Sequence, residues 1–158
     1  MTIHIFNDFF QSEIFLKCQE FSQSVIENGP NKLRTNLVWN KDIVLDSSLV
    51  LIYDVTPDSY FYKMLEQHII AKIHKKPTCI MFYYWLPGSH IPWHNDGCHH
   101  SGLTIYLNEH WNKNHGGIFL YEHESCIQGI YPYPNRAVLN ENNVNHSVCP
   151  TTSNSEIR

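Results

Sequence analysis

His94 and Asp96, in Trp93-His-Asn-Asp96, are two potential metal ligands within three residues. In an extended strand alternate side chains share a face, so His94 and Asp96 would point into one space while Asn95 points away. A third ligand must come from elsewhere, and His146 in Asn143-Val-Asn-His-Ser-Val148 is the candidate. Two imidazoles and one carboxylate on one side of an ion leave other coordination positions open, the arrangement of non-haem Fe(II) oxygenases. Counted alone the triplet is weak. With 11 histidines and 15 acidic residues in 158, about one His-x-acid triplet is expected by chance, and His146 by itself reads equally as a polar residue of an Asn-rich turn.

The elements that must position these residues are legible in outline. Asn7 or Asp8 can cap a helix running to about Glu27, because Phe9, Ile14, Phe15, Cys18, Phe21, Val25 and Ile26 recur at helical spacing; Asn28-Gly29-Pro30 ends it. Strand-like pieces follow at Asn36–Trp39 and Leu49–Tyr53. Pro57 suits the first position of a second helix reaching about His74, whose Phe61, Met64, Leu65, Ile69 and Ile73 would face a sheet. After Pro77 the texture changes to short β segments separated by Gly, Pro and Asn, at 78–85, 90–94, 102–107, 117–121, 127–130, 136–140, 144–148 and 155–158. Eight short strands at this spacing predict a double-sheet jelly roll or a barrel, with the helices packed outside as a brace. A single domain over 1–158 is expected, with 1–77 as the brace region and 78–158 as the core.

Composition narrows the function classes. The net charge is −4 and the basic residues are scattered, which argues against a nucleic-acid partner. No basic stretch leads into an apolar run, and nothing approaches the length of a membrane span, so a cytoplasmic protein with no membrane partner is expected. Cysteines 18, 79, 98, 126 and 149 are odd in number and show no Cys-x-x-Cys spacing, which fits a reduced protein better than a disulfide framework or zinc ribbon.

From about Thr78 to Arg158 the chain resembles the Fe(II)/2-oxoglutarate-dependent dioxygenases, most closely their prolyl-4-hydroxylase-like branch. The resemblance comprises Tyr84-Trp-Leu-Pro-Gly88, His94-x-Asp96-Gly97, Leu103-Thr-Ile-Tyr-Leu-Asn108 with Trp111 following, Gly116-Gly117, Pro134-Asn-Arg-Ala-Val138, and His146-x-Val148-x-Pro150 leading to Arg158. Six blocks in the family's order are far more specific than any one of them. Locally, Pro87-Gly88 makes a tight turn, Gly116-Gly117 permits positive φ, and Asn135 stands where the family often has Gly and tolerates the left-handed conformation.

The resemblance implies a double-stranded β-helix (jelly roll, cupin-like) core, mostly β with α, braced by N-terminal helices. It implies an oxygenase that hydroxylates an unactivated C–H bond, using Fe(II), 2-oxoglutarate and O2, with ascorbate as an accessory reductant and succinate and CO2 as coproducts. By position, His94, Asp96 and His146 look like the metal ligands. Arg158 looks like the cation for the far carboxylate of 2-oxoglutarate, a task that suits its planar fork. Tyr106 matches a residue that often hydrogen-bonds the same carboxylate; Tyr84 is a second candidate, with Tyr83 facing the other way. His99 and His100 fall in a loop where the family often contacts substrate. Arg158 lies 12 residues after His146 and ends the sequence, where members usually continue a strand, the pattern expected of a C-terminally truncated sequence. The branch implies a prolyl residue of a peptide or protein as substrate, and a free amino acid or other small molecule is the alternative. A non-catalytic metal-binding jelly roll and a zinc hydrolase are the competing classes.

Overall fold

A computed structural model describes residues 2–35, 50–97 and 101–158. Strand β1 (Thr2–Phe6) opens the chain, followed by helix α1 (Ser12–Asn28), β2 (Arg34–Thr35), β3 (Val50–Asp54) and helix α2 (Tyr60–Ile73). The remainder is strands: β4 (Met81–Trp85), β5 (Ile91–His94), β6 (Ser101–Ile105), β7 (Phe119–His123), β8 (Cys126–Ile130), β9 (Ala137–Glu141) and β10 (His146–Val148). The sheets run β1-β9-β6, β5-β10-β7-β8 and β2-β3-β4, with antiparallel pairing throughout the described strands. This is the expected jelly roll with brace helices.

Strand alternation divides the core into an inner and an outer part. Trp85, Ile91, Phe119, Ile130, Val138 and Val148 meet between the sheets, joined by Val50 and Tyr106. On the other face of β6 and β9, Leu103, Ile105 and Ala137 pack against Ile14, Cys18, Leu65 and Ile69 of the two helices. Phe82 and Tyr84 do the same for β4, against Val25 and Tyr62. Strand β9 is therefore covered on both faces, which explains its unbroken buried run Ala137–Asn140. Burial pushes the Cys18 thiol up to about 12, so it behaves as a small apolar core group.

Several boundaries differ from expectation for local reasons. Neither Asn7 nor Asp8 caps α1: Asn7 accepts from Arg136 Nε at 2.9 Å, Asp8 turns at φ 50°, and Gln11 stands at the helix N-cap without a side-chain bond. The preceding residues form β1, paired with β9. Helix α2 starts at Tyr60 rather than Pro57, because Ser59 Oγ accepts from the Tyr62 N–H at 3.1 Å and so caps it. Segment 155–158 is not a strand: Ser155 N–H closes a turn onto Thr152 O at 3.1 Å, and Arg158 alone pairs with Trp85, through N–H···O contacts of 3.0 and 2.6 Å. The expected strand Asn36–Trp39 and the loop histidines His99 and His100 lie outside the described residues.

The turns behave as their residues dictate. Gly88, Gly116 and Gly117 have φ of 85°, 70° and 62°. Asn135 sits at φ 55°, and its side chain both accepts from Phe10 N–H at 2.9 Å and donates to Phe10 O at 2.8 Å. Asparagine here supplies the left-handed turn of a glycine and also ties the β1–α1 connection to the sheet. Among the described residues no helix is long and apolar enough to cross a membrane.

Candidate metal centre

Strand β10 lies between β5 and β7, which places His146 opposite His94 on one side and Tyr121 on the other. Asp96 is two residues beyond the end of β5, so it reaches the same space from a turn rather than from an extended strand. Gly97, at φ 60°, makes that turn, with its N–H donated to Asn95 Oδ1 at 3.1 Å. One atom from each of His94, Asp96 and His146 lies within 4.8 Å of the other two. Asp96 Oδ1 is 4.0 Å from His94 Nε2 and 3.8 Å from His146 Nε2. The two imidazole side chains are 7% and 9% exposed, whereas Asp96 is 27% exposed and marks the open side.

The protons are fixed by the backbone. His94 Nδ1 is 2.8 Å from Pro92 O, and His146 Nδ1 is 2.8 Å from Val144 O. A carbonyl accepts only, so each Nδ1 carries a proton and Nε2 is the nitrogen turned toward Asp96, the one left to bind a metal. Burial pushes the His146 imidazolium down, against the opposing pull of the Val144 carbonyl and of Asp96, and favours the neutral ring that a metal needs. Phe119 stacks on His146 with centroids 5.1 Å apart and closes the inner side.

At the other end of the interior, the Arg158 guanidinium lies 4.7 Å from the ring centroid of Trp85, 5.5 Å from Tyr106 and 5.8 Å from Trp111. Its Nη1 donates to Gly117 O. Burial pushes its proton affinity down. No acidic side chain among the described residues stands within 4 Å of it. A partly buried cation in contact with aromatic faces and one carbonyl, with no acidic side chain beside it among the described residues, has the electrostatics to receive an anion. Burial likewise raises the Tyr106 phenol, which keeps its hydroxyl protonated.

A family model for the 2OG-Fe(II) oxygenase superfamily matches residues 79–158, just over half of the chain. The chain belongs to that superfamily. It is a 2-oxoglutarate-dependent dioxygenase, with Fe(II) and 2-oxoglutarate as cofactor and cosubstrate. Among solved structures, a Pseudomonas putida prolyl-4-hydroxylase is 15% identical with a TM-score of 0.75, covering 94% of this chain and 85% of its own. A Trichoplax adhaerens prolyl hydroxylase, solved with a hypoxia inducible factor peptide fragment, is 18% identical with a TM-score of 0.76 (96% and 78%). A viral collagen prolyl hydroxylase from Paramecium Bursaria Chlorella virus-1, solved with 2OG, is 13% identical with a TM-score of 0.63 (99% and 92%). These show a shared fold. No curated protein sequence matches significantly.

The oxygenase's donor set fits Fe(II): imidazole nitrogens and a carboxylate suit a borderline divalent ion, and ligand bonds of about 2.1 Å allow atoms 3.8–4.0 Å apart to share one ion. The structure brings His94, Asp96 and His146 together at one end of the interior and Arg158 and Tyr106 at the other. It does not bring Tyr84. That hydroxyl donates to Ser22 O at 3.1 Å and accepts from Ser22 Oγ at 3.3 Å, on α1. The inward residues of β4 are Tyr83 and Trp85. Strand parity correctly separates Tyr83 from Tyr84 but does not say which face is inner; that is decided by where the helices pack. The Tyr84→Phe variant is therefore expected to lose about 1 kcal/mol of stability and to keep its KM for 2-oxoglutarate, measured by urea titration and succinate assay.

Sequence reasoning also missed Trp85 and Trp111 as walls around Arg158, and Asn140 beside Asp96. The alternation Tyr83, Trp85 carried a signal for the first. Asn140, an amide inside the apolar strand Ala137-Val-Leu-Asn-Glu141, carried one for the last.

Proposed function

We propose that His94, Asp96 and His146 hold Fe(II), that Arg158 with Tyr106 beside it binds the far carboxylate of 2-oxoglutarate, and that the enzyme hydroxylates a prolyl residue of a peptide or protein. The carrying observation is the partly buried guanidinium of Arg158, with no acidic side chain within 4 Å among the described residues, set across the inner core from His94, Asp96 and His146. When bound, iron with 2-oxoglutarate and O2 supplies the oxidising power for C–H hydroxylation, with succinate and CO2 as coproducts. The chain's own work is positional. The Pro92 and Val144 carbonyls hold both imidazoles in the tautomer that offers Nε2, and Asp96 offers Oδ1 from the open side. Trp85, Phe119 and Val148 belong to an apolar inner cluster against which the Arg158 guanidinium is packed, so a carboxylate meeting it there gains more from the contact than it would in water. The Trichoplax structure's peptide supports a peptide-type substrate here.

Gly117 sharpens the anchor. A Cβ on it would stand 2.6 Å from Arg158 Nη1 and 3.1 Å from Thr151 Cγ2, at a φ of +62°. Gly117→Ala is expected to weaken 2-oxoglutarate binding about tenfold by displacing the guanidinium and to lose about 1–2 kcal/mol of stability, read by calorimetry and by thermal melting.

The deciding experiment incubates the Fe(II)-loaded enzyme and 2-oxoglutarate with proline-containing peptides, with free proline and with other small molecules, and follows succinate and product mass. Succinate release coupled to addition of one oxygen to a prolyl residue is expected. Oxygen addition to free amino acids alone would overturn the peptide assignment, and turnover without 2-oxoglutarate would overturn the mechanism.

A further inference from the structure

Asn140 is buried on β9, 4% exposed, paired across β6 with Gly102. Its side-chain amide stands between the two segments that carry Asp96 and His146. Nδ2 is 3.2 Å from Asp96 Oδ2 and 3.4 Å from Val144 O, and Oδ1 accepts from the Val144 N–H at 3.1 Å. Nδ2 also lies 3.2 Å from His146 Nδ1, but that nitrogen already donates to Val144 O at 2.8 Å, so this last approach is packing rather than a bond. The amide orientation follows from its neighbours: flipped, its oxygen would face a carboxylate and a carbonyl, and its NH2 would face an N–H. Both amide protons and the amide oxygen are thus used.

We infer that Asn140 is a positioning residue that makes Asp96 a one-oxygen ligand, by holding Oδ2 away from the space between the imidazoles and leaving Oδ1 to face them. This rests on the metal-site reading above. Asp96 Oδ2 packs against β6 at the same point, 3.4 Å from where a Cβ on Gly102 would stand. The same amide grips both backbone groups of Val144, whose carbonyl fixes the His146 tautomer, so one side chain sets the orientation of two ligands that are 50 residues apart in sequence. A carboxylate that offered one oxygen would leave room beside the ion for a chelating cosubstrate. Aspartate at 140 would lack the donors, and leucine would keep the volume without them.

The test titrates Co(II) into the metal-free wild type and into the Asn140→Leu, Asn140→Ala, Asn140→Ser and Asp96→Ala variants, recording affinity by calorimetry and the d–d absorption, with apo-protein melting in parallel. Asn140→Leu and Asn140→Ala are expected to bind Co(II) about 10- to 100-fold more weakly, with changed d–d bands as both Asp96 oxygens become available. Asn140→Ser, which keeps one donor, is expected to recover part of the affinity and the wild-type bands. Co(II) affinity and spectra in the leucine and alanine variants within twofold of wild type, while Asp96→Ala loses binding, overturn the inference. Unchanged binding in Asp96→Ala overturns the metal-site reading itself, and this inference with it.

Discussion

Replacing Asp96 by alanine is expected to abolish succinate release while leaving the fold intact. The loss in turnover should exceed the roughly 100-fold that removal of a group supporting a ligand costs, because the proposed ligand itself is gone. The fold should survive because Asp96 is 27% exposed and accepts only the Asn140 amide among the described residues, a bond of about 1 kcal/mol. His94→Ala is expected to give the same result, since its Nε2 faces Asp96 while its Nδ1 bonds the Pro92 carbonyl two residues away. Metal analysis and a succinate assay check this, with thermal melting as the control. Turnover within tenfold of wild type in either variant would remove that residue from the ligand set.

Arg158→Met is expected to act in opposite directions on binding and on stability. Removing one partner of a buried, hydrogen-bonded charge pair costs about 3–5 kcal/mol, so affinity for 2-oxoglutarate should fall from about a hundredfold to several thousandfold. Without cosubstrate the guanidinium is a desolvated cation with three rings and the Gly117 carbonyl as partners, and these offset only part of its lost hydration. Methionine packs against the same rings with no charge to desolvate. The cosubstrate-free variant should therefore melt higher than wild type by about 3 °C, equivalent to about 1 kcal/mol for a chain of this size. Calorimetric titration and melting scans with and without 2-oxoglutarate measure both effects. A variant that melts lower and keeps its KM would show that Arg158 serves the fold rather than the cosubstrate.

The two results are expected to separate because the proposed ligands and the proposed anchor contact different members of one apolar core. Phe119 touches His146 and Trp85 touches Arg158, and both belong to the same inner cluster. A cosubstrate bridging these residues would break no ion pair of Arg158 with an acidic side chain among the described residues, so less of its binding energy would be lost there.

Much of this was determined by sequence alone. Turn chemistry at Pro87-Gly88, Gly116-Gly117 and Asn135 depends on single residues and their neighbours, so it could be read directly, and the φ values of the structure agree. Seven of the eight short β segments after Pro77 form strands within a few residues of their expected bounds. Alternation also separated Tyr83 from Tyr84. Tertiary structure decided what alternation leaves open. Which face of β4 is inner depends on α1 and α2 covering the other, and that moves Tyr84 to Ser22 and brings Trp85 to Arg158. The first strand was hidden because Thr2–Phe6 is mostly exposed and forms by pairing with β9, from Phe6 with Ala137 to Thr2 with Glu141, far along the chain. The His94-x-Asp96 spacing pointed to one shared space, yet Asp96 reaches it from a turn, and its posture is set by Asn140, 44 residues away. Spacing fixes which side chains can meet; long-range hydrogen bonds fix how they present their atoms.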